Sequence, residues 1–328
     1  MHPALLVVLL SGLMILPPTP PKPPRPGVKT QGVRIPIERL KPDAVFPVPG
    51  DPDWIAIGDA VWISNEPKNS LARLDPRTNT VAATIDVGPA PCSGLAIGFG
   101  SLWVPTCGDQ SLARVDLKTG KVTARIPTGI ADGEGGLATG AGSVWLLTDA
   151  RGPVKRIDPD SEKVTAVISV APGSFAAAFG EDALWVTSTE QSLVTRVDVR
   201  THAVVATIPV GPAPRFLAVG EGGVWTLNQG DGSVSRIDPK TNTVVATIEV
   251  GVPGTGGEIA AGEGSVWVTS FEFPISRIDP TTNTVVQQFA GPGGDAIRVG
   301  LGSEWLSNLR AGNVWRLDPR HIEAARPD

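Results

Sequence analysis

Few side chains in this sequence have the chemistry for a site. Asp53, Glu258 and Asp295 are carboxylates and Arg215 is a cation. Each stands at the entry to a short apolar run, where other stretches of the chain carry small residues such as Ser93-Gly94 or Gly135-Gly136. Carboxylates brought together can hold a divalent metal ion or exchange a proton. A guanidinium offers five donors in fixed geometry for a carboxylate or a phosphate. Trp54 and Phe216 adjoin Asp53 and Arg215 and would add aromatic surface, while Asn228 and Glu272 follow other apolar runs. These are the expected ligand-binding residues, with Arg215 and Glu258 forming an ion pair that a ligand opens. Other chemistry is poorly served. Histidine occurs only at His2, His202 and His321, no Cys/His cluster has metal spacing, and no GxSxG or phosphate-type Gly-rich loop opens a helix. Asp132 and Glu134 lie in a Gly-rich loop and suit a hard cation, although acids in such loops are far more often simply solvated.

What must position these residues is a repeat. The stretch from Ala218 to Gly251 contains GVWTL, SVSRI and TVVATIEV, preceded by FLAV, with turn residues between the runs. Each run is too short for a helix and rich in strand-forming residues, so the unit is a four-stranded antiparallel meander. Its second strand carries a tryptophan that returns at positions 62, 103, 145, 185, 225, 267 and 305, every 38–42 residues. The third strand returns in step as LARLDP, LARVDL, VKRIDP, VTRVDV, VSRIDP, ISRIDP and VWRLDP. Copies of a two-faced meander cover one another, and seven with this period predict an all-β, seven-bladed β-propeller.

After the last third strand no fourth strand follows, so Ala44–Val48 is expected to close the ring as the outermost strand of blade seven, with Gly32–Leu40 as a competitor for that place. Closure removes a free edge. The arginine of each third strand is expected opposite the tryptophan of the second, guanidinium over indole. Because this pair occurs in every copy, it serves the blade. A site is expected where copies differ, at the mouth made by the connections between blades and between second and third strands. The opposite face repeats the same short turns. Blade seven also departs inside its strands: Arg298 stands where the other six copies have alanine, and Glu304 where they have Val or Leu.

Residues 1–16 read as a secretory signal, with an apolar core from Ala4 to Leu16 too short to span a bilayer. Residues 17–42 read as a Pro-rich linker and N-terminal segment, 43–319 as the propeller and 320–328 as a tail. The expected location is therefore periplasmic or secreted. Cys92 and Cys107, the only cysteines, flank one hairpin and are expected to form a disulfide in an oxidising compartment. A net charge of −5 provides no basic footprint for nucleic acid or a membrane surface. The expected state is a monomer.

The repeat SVWVTS…VSRIDPxTNTVVATIxVG over about residues 43–319 resembles the YVTN-repeat β-propellers and the related streptogramin (virginiamycin) B lyase-like propellers. Trp stands for the Tyr of YVTN throughout, and the chain has no tyrosine. The resemblance implies a lyase that uses a histidine, a glutamate and a divalent metal at the channel mouth, yet no histidine here falls at a mouth position. The first expectation is therefore a non-enzymatic exported scaffold that binds a small polar ligand or a protein, without a cofactor. The alternative is a metal-dependent lyase or lactonase-type enzyme with Glu258, Asp295 and Asp53 around a divalent ion at the mouth.

Overall fold

Each copy of the repeat folds as an antiparallel meander because its second strand is apolar on both faces and its fourth alternates. In blade four, Ala183–Ser188 is buried at every position, while the outer strand Ala203–Pro209 is largely exposed. Neighbouring blades supply the cover for the inner strands. A computed structural model describes residues 24–48, 50–65, 69–131 and 134–327. The apolar stretch at 1–16 and Asp132 lie outside these residues. Seven sheets form the ring, and the innermost strand of each packs against that of the next, including Ile297–Gly300 of blade seven against Ile55–Ile57 of blade one.

The register follows the repeat. Each of the seven tryptophans faces the arginine of its third strand, Trp62 with Arg73 through Trp305 with Arg316. Six of these arginines lie over the indole, with centroid distances from 4.8 to 5.9 Å. The same guanidinium then reaches the turn of the next blade. Arg236 donates to the Pro280 carbonyl at 2.6 Å and Asn283 Oδ1 at 2.8 Å, and Arg196 does the same to Pro239 and Asn242. Asn242 and Asn283 sit at φ 57°, a left-handed conformation that asparagine tolerates, which aims the amide at the arginine. Arg114 and Arg316 reach the next turn in the same way, so four of the seven arginines are clasps between blades. Arg156 is not one of them: His202 replaces the asparagine of the next turn, and its ring packs edge-on against Trp145 at 6.1 Å, while Arg277 reaches Glu323 of the C-terminal helix instead.

In six blades the indole N–H donates to the glycine carbonyl that ends the first strand, at 2.9–3.1 Å. Blade one has a hairpin one residue shorter, and Trp62 Nε1 is buried there without a partner among the described residues.

The ring closes with an N-terminal strand. Ala44–Pro47 pairs antiparallel with Asn313–Leu317, Val45 facing Trp315 and Phe46 facing Val314, and Phe46 packs its ring 5.6 Å from Trp305. The segment before it, expected to be a linker or a competing closure strand, takes a third course. Arg34–Pro36 adds a parallel fifth strand outside Thr284–Ala290 of blade six, and Ile35, Ile37 and Leu40 are buried there. Gln288 explains the choice. Its side chain accepts from Val28 N–H at 2.7 Å and donates to the Val250 carbonyl and to Ser276, satisfying the backbone that the added strand buries. Cys92 and Cys107 form a disulfide with Cα atoms 5.7 Å apart. Among the described residues no helix is long and apolar enough to cross a membrane.

Candidate functional site

A cavity of about 350 Å³ opens at the predicted mouth. Its walls bring together Asp53, Trp54, Arg215, Phe216, Glu258 and Asp295, which come from the entries of blades one, five, six and seven. Glu134 and Phe271 also line it. Two expected residues are elsewhere. Asn228 is fully buried, and its amide donates to Ser233 and Ser235, so it ties two strands of blade five together. Glu272 pairs with Arg25 of the N-terminal segment.

The entries are held by a hydroxyl placed two residues after the tryptophan. Ser64, Thr187, Thr269 and Ser307 accept the backbone N–H of Trp54, Ala176, Glu258 and Ala296 at 2.7–3.0 Å. Thr187 also donates to the Arg215 carbonyl at 3.1 Å, and Thr269 donates to the Asp295 carbonyl. One side chain thereby fixes the entry of its own blade and that of the next. This W-x-[S/T] pattern is legible in the sequence, and it marks the entries that are held by a side-chain hydroxyl.

The charges pair differently from the expectation. Arg215 and Glu258 do not bind each other. Arg215 pairs with Glu134, and its guanidinium lies 4.3 Å from the Phe175 ring centroid and 5.4 Å from that of Phe216. Two aromatic faces hold it on one side, so only its remaining donors point to partners. Glu258 pairs instead with Arg298, the unusual arginine of blade seven, and accepts Ile297 N–H at 3.2 Å. A channel position that holds alanine in other blades is where a long side chain can cross to the neighbouring entry. Arg298 and Glu304 do not meet, because they flank the hairpin on opposite faces.

Burial decides the protonation of this site. It pushes Glu258 above the usual carboxylate range, with Arg298 and the Ile297 N–H acting in the other direction. Burial, and next the nearby Glu258, push Asp295 up to about 6, while hydrogen bonds from Asp53 and Gly257 N–H and the charge of Arg215 pull it down. A hydrogen bond between the carboxyls of Asp53 and Asp295 needs a proton on one of them, so the two act as a pair. Burial also lowers Arg215 below its ordinary value, against the pull of Asp295. Arg215 Nε is buried with no hydrogen-bond partner among the described residues.

A divalent metal does not fit this donor set. Among the described residues no three of His, Cys, Asp or Glu converge as a metal site. Glu258 is closed off by Arg298, and a proton shared between Asp53 and Asp295 leaves that pair with a single charge to offer a dication.

No protein-family model matches the sequence, and no curated protein does. Among solved structures the chain is similar to one titled "Streptogramin B lyase structure", with TM-score 0.68 and 19% identity over 82% of this chain and 93% of that one. It is also similar to the virginiamycin B lyase of Staphylococcus aureus, with TM-score 0.67 and 16% identity over 81% of this chain and 94% of that one. At such identities the likeness is one of fold. The expectation of a non-enzymatic scaffold is nevertheless corrected at this point: both of these similar propellers are named as lyases.

Proposed function

We propose that the chain is a lyase-type propeller enzyme that works at the mouth cavity through carboxyl acid–base chemistry. The observation that carries this reading is the Asp53–Asp295 pair, half-buried beside Arg215, with Asp295 pushed up to about 6. An acid–base group is most effective when it titrates near the working pH. In an elimination, Asp295 as carboxylate takes a proton from carbon, the freed electron pair forms a C=C bond, and the neighbouring carbon–oxygen bond breaks with its electrons on the leaving oxygen, which Arg215 faces. Asp53 holds the Asp295 carboxyl in place and shares its proton. Trp54 and Phe216, edge to face at 5.7 Å, form an apolar wall for the rest of the substrate. Glu258, held by Arg298, keeps the local charge that raises Asp295.

Export belongs to the same reading, supported by the apolar stretch Ala4–Leu16 and the disulfide of blade two. The experiment is incubation with streptogramin B, for which one of the similar lyases is named, followed by mass spectrometry of the product. Elimination adds no water, whereas a lactonase adds one. The expected result is a product without added water, formed faster as pH rises through about 6, where Asp295 loses its proton. Asp295→Asn is expected to lower kcat by ~10²–10⁴ with the melting temperature kept. Full activity in Asp295→Asn would overturn the role of the pair.

A further inference from the structure

A second cavity, of about 610 Å³, lies beside the mouth, between the N-terminal segment at 37–42 and blades six and seven. Phe271 lines both cavities and separates them. The two differ in chemistry. The mouth cavity is walled by carboxylates, whereas the second takes apolar surface from Ile37, Leu40, Phe271 and Trp315.

Trp315 is the first observation. Its position in the third strand holds Ala72, Ala113, Lys155, Thr195, Ser235 and Ser276 in the other six blades. The ring therefore does not need an indole here, yet blade seven has one, half-buried and lining the cavity. The second observation is charge. Arg310 lies 4.3 Å from the Phe271 ring centroid, and Lys41 lines the same space. Among the described residues no carboxylate pairs with either, Glu38 of the lining included. Elsewhere in the molecule most arginines are clasped or paired, so two unpaired cations on an apolar cavity leave a place for an anion.

We propose that this cavity is a second ligand site, for a small planar aromatic anion such as an aryl carboxylate or aryl sulfonate. The ring lies against Trp315 and the apolar wall, and the anion faces Arg310 and Lys41. Charge complementarity selects the anion, and the indole selects a flat ring over an aliphatic chain.

The test uses the full chain and two dyes, anilinonaphthalene sulfonate and its neutral relative N-phenylnaphthylamine, titrated by fluorescence. One sulfonate dye per chain is expected, bound more tightly than the neutral one. Trp315→Ser installs the residue that blades five and six already carry, and it should weaken both dyes about tenfold or more. Arg310→Gln changes an exposed side chain and should remove the preference for the sulfonate while leaving the neutral dye unchanged. If Trp315→Ser does not fold, the ratio of the two dyes in Arg310→Gln decides. The proposal falls if the parent binds neither dye or if both variants bind like the parent. It falls equally if binding is lost in Trp54→Ala instead, which would place the dye in the acidic cavity.

Discussion

Blades four and five differ from blades six and seven in a way the shared repeat conceals. In blade five the outer strand Thr243–Glu249 leaves Val245 54% exposed, and Thr247 faces solvent. In blade six the matching strand, Thr284–Ala290, buries Gln287, Gln288 and Phe289, because the N-terminal strand and the C-terminal helix Pro319–Ala324 cover it. The departures of blades six and seven, namely Gln288, Arg298, Glu304 and Trp315, stand beside the chain termini or the mouth. The regular half shows what a blade requires, and the irregular half shows what was added to it. A residue shared by all copies is explained by the ring. A residue found in one copy needs a local partner, and such residues line both cavities, Arg215 the first and Trp315 the second.

The comparison breaks most clearly if the added parts are removed. Deleting residues 1–48 strips Ile35, Ile37, Leu40, Phe46 and Val48 from buried positions and uncovers two edges. At ~1.5–3 kcal/mol for each buried apolar side chain, the loss matches or exceeds the usual stability of a domain, so an insoluble or unfolded product is expected. Deleting residues 1–42 spares the closing strand and should yield a soluble protein with a lower Tm. A 1–48 deletion that melts like the parent would refute closure by Ala44–Pro47.

The regular half has one addition of its own, the disulfide of blade two, which spans a sequence separation of 15. Cys92→Ser with Cys107→Ser is expected to lower stability by about 3 kcal/mol, measured by denaturant unfolding. An unchanged midpoint would mean that the blade holds the hairpin as firmly without the bond.

Glu304 gives a pH dependence confined to the irregular half. It is fully buried, neither oxygen has a hydrogen-bond partner among the described residues, and burial pushes it to about 8. The folded state thus holds a proton that the unfolded chain, with the ordinary value of 4.5, releases. Its contribution is fully present below about 4.5 and is lost as pH rises towards 8, at no more than about 1.4 kcal/mol per pH unit. Glu304→Leu restores the residue type of the other blades. It should raise Tm at pH 8 and flatten this slope, and a variant as pH-sensitive as the parent would show another group at work.

The smallest effect is expected in the clasps. Asn242→Ala removes one of the two contacts of Arg196 and should cost about 1 kcal/mol, with Arg196 still held by the Pro239 carbonyl. The same change at His202→Ala should cost less, because Arg156 makes no such contact with the next turn.

Much of this was legible in the sequence because blade contacts are short-range along the chain. Strands joined by tight turns have a register fixed by turn length and by the alternation of buried faces. The placement of Trp opposite Arg, of alanine opposite Trp, and of Arg298 in the alanine slot therefore follows from counting residues. The closing strand was legible for a related reason, since a blade lacking its fourth strand must take one from the other end. The course of residues 27–42 differs from the linker or closing strand that the sequence suggests, although TVVQQFA in place of TVVATIE marks the strand they cover.

Which charges meet at the mouth was decided only by the tertiary structure. Arg215 and Glu134 are 81 positions apart, and Asp53 and Asp295 are far apart in the sequence although blades one and seven adjoin in the ring. The sequence placed these side chains at the same rim and left their partners open. Arg215 and Glu258, on adjoining blades, looked like a pair. Stacking on Phe175 and Phe216 turned the guanidinium towards Glu134 instead, and Arg298 reached Glu258 from the next blade. Local pattern sets which residue faces the axis. Partner choice depends on the reach and direction of long side chains across a closed ring, and those exist only once all seven blades are in place.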